Sequence, residues 1–207
     1  MCAKDFRSAA WQQLKGKWGV SVPVFLVYTL IAVLANVTGF GSIFMFIFGG
    51  AFEFGLASFA LGISRTRIGW LEDLFDGFRT GLGTNIVAGI LTSLYITLWS
   101  LLLVVPGIIK RYSYAMTFYI LADNPDMAAS DAITYSREMM NGNKWRLFCL
   151  DLSFIGWILL SVLTCGILLF WVAPYMAVAR AQFYDSLKSE WEDDTNATYE
   201  GDAAENG

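Results

Sequence analysis

Five ionisable side chains stand in apolar surroundings in this sequence. Glu53 lies inside FGGAFEFGLASF, Lys110 and Arg111 follow Pro106-Gly107, and Asp151 and Arg180 lie within the longest apolar run of the chain. A charge at the centre of a membrane helix costs about 2.5–3.5 kcal/mol on insertion scales, so such a group faces a partner, a polar cavity or the bundle interior. Glu53 has two readings. It is either a proton- or cation-binding carboxylate on a permeation path, or a structural acid held by a pair or a hydrogen bond. Asp151 and Arg180 each fall about one turn inside the same end of neighbouring antiparallel spans, where an ion pair would fasten the hairpin. Lys110 and Arg111 are expected to snorkel to the outer headgroups. Otherwise one of them binds an anion or pairs with Glu53.

Absences narrow the chemistry. The chain has no histidine, which removes histidine-dependent triads, the HExxH metalloprotease and imidazole metal sites. There is no Walker loop, no G-x-S-x-G and no G-x-G-x-x-G after a strand. Cys2, Cys149 and Cys165 lack metal-ligand spacing. An aspartate-based intramembrane protease needs two facing aspartates, and only Asp151 lies within a span. The expectation is a chain that is not an enzyme and takes no cofactor and no metal. No basic, aromatic-lined groove points to nucleic acid.

The elements that position these charges are apolar. The sequence is 56% hydrophobic and 15% charged, against roughly 25% charged in an ordinary soluble domain. Trp145 to Tyr184 carries only Arg146, Asp151 and Arg180 as charges, with Thr164-Cys165-Gly166 at its centre. A span needs about 20 residues, so this run is long enough for two.

The same order, surface helix then span then span, recurs three times. The first surface helix is read at 4–18, with Arg7 inside its apolar stripe. The second, at 70–79, sets Trp70, Leu74 and Phe78 against Glu72, Asp73 and Asp76, and should lie flat at the interface. The third opens with Asn124 as N-cap and Pro125 as first helical residue, and ends at Asn141-Gly142. Leu14-Lys15-Gly16-Lys17-Trp18 and Met140-Asn141-Gly142-Asn143-Lys144-Trp145 mark alike junctions, and Gly81 takes the matching place in the middle unit. The period is roughly 60 to 65 residues, of the kind internal repeats show. Pro106-Gly107 is expected to break the third span from the fourth, and Pro174 to kink the sixth. Ala51 with Gly55, Ser58 with Gly62, and Gly89 with Ser93 would let helix backbones approach closely.

The expected fold is therefore all-α, a polytopic membrane protein with about six transmembrane helices in three hairpins, each preceded by an interfacial amphipathic helix. The integral membrane domain is read as 1–187, with spans at about 20–37, 43–63, 85–105, 108–122, 147–163 and 167–184. Residues 188–207 hold seven acids and one base and are expected to be a disordered cytoplasmic tail. With the N-terminus inside, twelve of the fourteen Lys and Arg residues, Arg67 among them, fall on the cytoplasmic side and only Lys110 and Arg111 outside. That bias favours both termini in the cytoplasm. A re-entrant fourth segment, short and charged at its start, would alter the count.

VVPGIIKRYSYAM (104–116), LADNPDM (121–127), SREMMNGNKWRLF (136–148), LDLSFIGW (150–157) and PYMAVARAQFY (174–184), together with LKGKWG at 14–19 and LFDGF at 74–78, resemble the bacterial multi-pass membrane family catalogued as domain of unknown function 975. The resemblance spans most of 7–187. It implies a bacterial cytoplasmic-membrane protein and carries no site residues over.

Two functional readings follow. The favoured one is a non-enzymatic envelope scaffold or modulator of a membrane system, whose cytoplasmic surface helices meet the lipid bilayer or a membrane-protein partner. The alternative is a small transporter or permease with Glu53 on its pathway. A hydrated cavity at Glu53 favours transport, whereas an acid sealed against Lys110, Arg111 or a hydroxyl favours the scaffold.

Overall fold

The computed structural model describes residues 3–37, 41–65, 69–164 and 166–205. Cys2, Arg67 and Cys165 lie outside them. Every element among these residues is helical: α1 (Ala3–Leu14), α2 (Trp18–Val37), α3 (Gly41–Ser64), a 3-10 turn (Leu71–Phe75) running into α4 (Asp76–Arg79), α5 (Leu82–Leu102), α6 (Val104–Ser113), α7 (Thr117–Asp123), α8 (Ala129–Met139), α9 (Lys144–Leu152), α10 (Ile155–Leu163) and α11 (Leu169–Glu205).

Among the described residues, four segments are long and apolar enough to cross a membrane: Trp18–Val37, Ile43–Ser64, Leu82–Leu101 and Lys144–Leu163, with mean hydropathies of 2.2, 1.7, 1.4 and 1.8. The second is 44% buried and the others only 17–22%, so α3 is inside and the other three are peripheral. Their outward residues are apolar. Leu30, Val33 and Leu34 of α2, Leu94 and Leu98 of α5, and Leu159, Val162 and Leu163 of α10 are all exposed. Leaving one such side chain in water forgoes about 1.5–3 kcal/mol. A belt of them is stable against lipid and not against solvent.

Three inner helices run parallel. Ser64 and Arg65 at the end of α3 bond Asp185 of α11, Arg65 also bonds Asp123 at the end of α7, and Tyr119 of α7 stacks on Tyr184 of α11. The linked positions Arg65 and Asp123 are 58 apart, and Asp123 and Lys188 are 65 apart, close to the period read in the sequence. The outer helices pack antiparallel to them. Phe25 and Tyr28 of α2 meet Phe59 and Phe52 of α3, and Tyr95 and Trp99 of α5 meet Tyr114 and Lys110 beyond and within α6.

The repeated junctions have a backbone counterpart. Gly16, Gly81 and Gly142 have φ of +88°, +61° and +81°. Each stands between a surface helix and the helix that follows it. An L side chain in this conformation places Cβ against the next carbonyl, which is why glycine recurs there.

Several expectations are corrected. The segment at 70–79 does not lie flat across helix ends but runs antiparallel down the side of α3. Backbone drives this: a Cβ on Gly55 would strike the Leu74 carbonyl, and one on Gly77 would strike the Ala51 carbonyl. The break before α6 falls at Leu103, whose φ of −161° and ψ of 139° are extended. Pro106 sits instead in the first turn of α6, where its missing N–H leaves nothing unpaired. The stretch read as a fourth span is two helices, α6 and α7, divided at 114–116. The fifth is likewise divided at Ser153-Phe154. Asn124 does not start a helix: its amide side chain donates to the Ile120 carbonyl and closes α7, and α8 begins at Ala129. α11 itself runs on past 188 through Glu205, and the turn that follows 188 is docked. Lys188 bonds Asp123, Glu190 pairs with Arg146, and Trp191 packs edge-on against Tyr135 of α8.

Three of the helix breaks are closed by a polar side chain from a neighbouring or distant element. The Ser136 hydroxyl of α8 donates to the Ser113 carbonyl (2.9 Å) and accepts from the Met116 amide (3.2 Å). The buried Asn85 side chain donates to the Gly77 and Thr80 carbonyls (3.1 and 2.8 Å). Arg7, the charge inside the first surface helix, donates to the Ser153 carbonyl at 3.0 Å. Backbone freed inside an apolar bundle must be satisfied in this way.

Candidate functional site

The inner helices enclose a cavity of about 590 Å³. α3 supplies Glu53 to its wall, α6 supplies Arg111 and Tyr112, α9 supplies Asp151, α11 supplies Arg180, and α5 supplies Thr92 and Ser93. Four of the five charges singled out in the sequence thus converge on one space.

They are not equivalent. Asp151 and Arg180 form a two-pronged pair: Arg180 Nη2 lies 2.9 Å from each carboxylate oxygen and Nε 3.1 Å from Oδ1. The Tyr112 hydroxyl donates to Asp151 Oδ2 at 3.2 Å. This is the expected pair, with a tyrosine added. Glu53 and Arg111, by contrast, have no ion pair and no side-chain hydrogen bond among the described residues. Glu53 lies in the wall of the cavity, with its side chain exposed there. Nearby, the Thr92 hydroxyl oxygen is buried without a hydrogen-bond partner. A polar atom left so costs about 1–3 kcal/mol unless something fills the space beside it.

Phe46, among the residues that line the cavity, is 51% exposed. Next to the lining residue Tyr119, Ile120, Leu121 and the Tyr184 that stacks on it are buried. Beneath them Arg65 forks between Asp123 (2.7 Å) and Asp185 (2.7 Å), and Lys188 reaches Asp123 at 2.8 Å. Burial would raise the Asp123 pKa, but hydrogen bonds from Arg65 and Lys188 outweigh it and hold the carboxyl below its ordinary value. Arg65 is held charged chiefly by its bond to Asp123.

Lys110 is elsewhere. It points away from the cavity, with Nζ 4.9 Å above the Trp99 ring, into a second pocket that it shares with Arg137. The sequence reading had placed Lys110 and Arg137 on opposite faces of the membrane. The helix carrying Lys110 starts at Val104, four residues earlier than read; Arg111 lines the central cavity and Lys110 the second pocket.

Tyr112, Thr92 and the network of Arg65, Asp123, Asp185 and Lys188 were not singled out in the sequence. Tyr112 carries one signal, its place beside Arg111. The network had a second: its members recur near the internal period. Thr92 is ordinary in sequence. Among the described residues no group of three acids or cysteines could hold a metal ion.

No curated protein and no solved structure matches the chain. Residues 101–190, which carry Lys110, Arg111, Asp151 and Arg180, match the model of the family described as Protein of unknown function (DUF975).

Proposed function

We propose that the protein is a permease for a small charged solute and not an enzyme, seated in a bacterial cytoplasmic membrane with six spans in three hairpins and both termini cytoplasmic. The observation that carries this reading is that Glu53 and Arg111, opposite in charge and unpaired, open onto one cavity. Charges so placed are costly in a membrane bundle, and a scaffold has no use for them. The unpartnered Thr92 hydroxyl points the same way. A polar cavity with a tyrosine stack and an ion network beside it fits one state of an alternating pathway. The parallel inner helices and the left-handed glycines at 16, 81 and 142 support the three-hairpin layout. The charge bias read in the sequence supports cytoplasmic termini.

A second reading, a modulator that binds a membrane-protein partner, is favoured by α11. At 37 residues it is longer than the roughly 20 needed to cross a bilayer, and its acidic end offers a contact surface.

The test is flux in vesicles reconstituted with the purified chain and loaded with a pH-sensitive dye, across a panel of small ions and zwitterions. Glu53→Gln should keep the wild-type melting temperature and lose proton-coupled flux. Undiminished flux in that variant would remove Glu53 from any pathway. A reporter fused after Lys188 should be cytoplasmic, and a periplasmic signal would refute the six-span topology.

A further inference from the structure

The second pocket, about 340 Å³, lies between α5, α6 and α8. Its polar lining is one-sided. Lys110 and Arg137 both face it, with hydroxyls from Tyr95, Tyr114 and Thr134, and no carboxylate lines it. Neither cation has an ion pair among the described residues. Glu138, which follows Arg137, and Asp131, which accepts from Ser130 at 3.2 Å, are both outside the lining. Two cations converging on one pocket beside an apolar belt repel each other, and low dielectric magnifies the repulsion. The arrangement is stable when an anion sits between them.

The rim indicates which anion. Leu94, Leu98 and Ile109, each next in sequence to a lining residue, are 53%, 55% and 48% exposed. Trp99 stands at the edge with Lys110 Nζ over its ring, an arrangement suited to the boundary between headgroup and acyl chain. A free anion would use the cations and ignore the rim. A phospholipid uses both, with its phosphate between Lys110 and Arg137 and its chains along Leu94 and Leu98. Basic pockets between membrane helices favour such headgroups.

We propose that the pocket formed by Lys110 and Arg137 between α5, α6 and α8 is a binding site for the phosphate group of an anionic phospholipid. It is independent of the central cavity, since Lys110 does not line that space.

The experiment is native mass spectrometry of the full chain released from nanodiscs of phosphatidylcholine containing graded phosphatidylglycerol. The wild type should retain phosphatidylglycerol in preference to phosphatidylcholine. The double variant Lys110→Gln/Arg137→Gln should lose that preference by about tenfold, and the control Lys4→Gln/Lys15→Gln, with the same charge change elsewhere, should keep it. Lys110→Arg should also keep it. Equal retention by the double variant and the control would overturn the proposal. If inorganic phosphate or glycerol phosphate displaces the lipid from the wild type at comparable concentration, the site is for a free anion and the lipid assignment fails. This wild-type competition decides the question even if the double variant does not fold.

Discussion

Arg180 grips Asp151 by both carboxylate oxygens, with its Nη2 2.9 Å from each. The pair joins α11 to α9, and the Tyr112 hydroxyl ties α6 to the same carboxylate. Because the acid is already neutralised, it leaves Glu53 as the carboxylate in the cavity free to act on a solute.

Removing one member should be worse than removing both. Asp151→Ala leaves Arg180 uncompensated, at a cost of about 3 kcal/mol, the lower end for breaking a buried pair, since the cavity leaves part of both side chains accessible. The double variant Asp151→Asn/Arg180→Gln should recover much of the loss. Thermal unfolding in detergent of the wild type, Asp151→Asn, Arg180→Gln and the double variant measures this. Additive losses would mean that the two residues are not coupled.

Ser136 closes the gap between α6 and α7. Ser136→Ala leaves the Ser113 carbonyl and the Met116 amide without that hydroxyl, which should destabilise by about 1–3 kcal/mol. Ser136→Thr keeps the hydroxyl and should cost less. Protease resistance of the 114–116 segment is the readout, and an alanine variant as resistant as the wild type would contradict the assignment.

The junction glycines give a test free of packing. Nothing lies within 4 Å of a Cβ added at Gly16 or Gly142, so alanine there adds only backbone strain, about 1–2 kcal/mol each. Gly142→Asn should cost less than Gly142→Ala, because Asn tolerates the left-handed region. Gly77→Ala should cost more than either, since its Cβ meets the Ala51 backbone. Melting temperatures in that order support the three-unit layout.

The network beneath the cavity sets an acid limit. Asp123 has its folded pKa depressed, so its contribution is present above the unfolded value of about 3.9 and is lost as pH falls through the folded one. The melting temperature should therefore drop below about pH 4, and Asp123→Asn should flatten that part of the profile. An unchanged acid limb in the variant would exclude this network as its source.

Much of the molecule is legible in the sequence. Apolar length read at a 1.5 Å rise places the long helices, because a segment that must satisfy its backbone without water has helix as its one open-ended solution. Glycine at 16, 81 and 142 marks the junctions, because only that residue takes a positive φ without strain. The five intramembrane charges stand out, because each is expensive there. What only the tertiary structure decided is where helices break and which charges meet. The division at 114–116 depends on Ser136, and that at Ser153 on Arg7, 146 residues away. No local propensity encodes such partners. α6, which starts at Val104 rather than 108, presents Arg111 to the cavity with Glu53 and Lys110 to the pocket with Arg137. Sequence spacing fixes which residues share a helix face, but a helix's depth and rotation against its neighbours are set by packing, and here the packing turns a row of suspect charges into one satisfied pair, one open pair and one anion pocket.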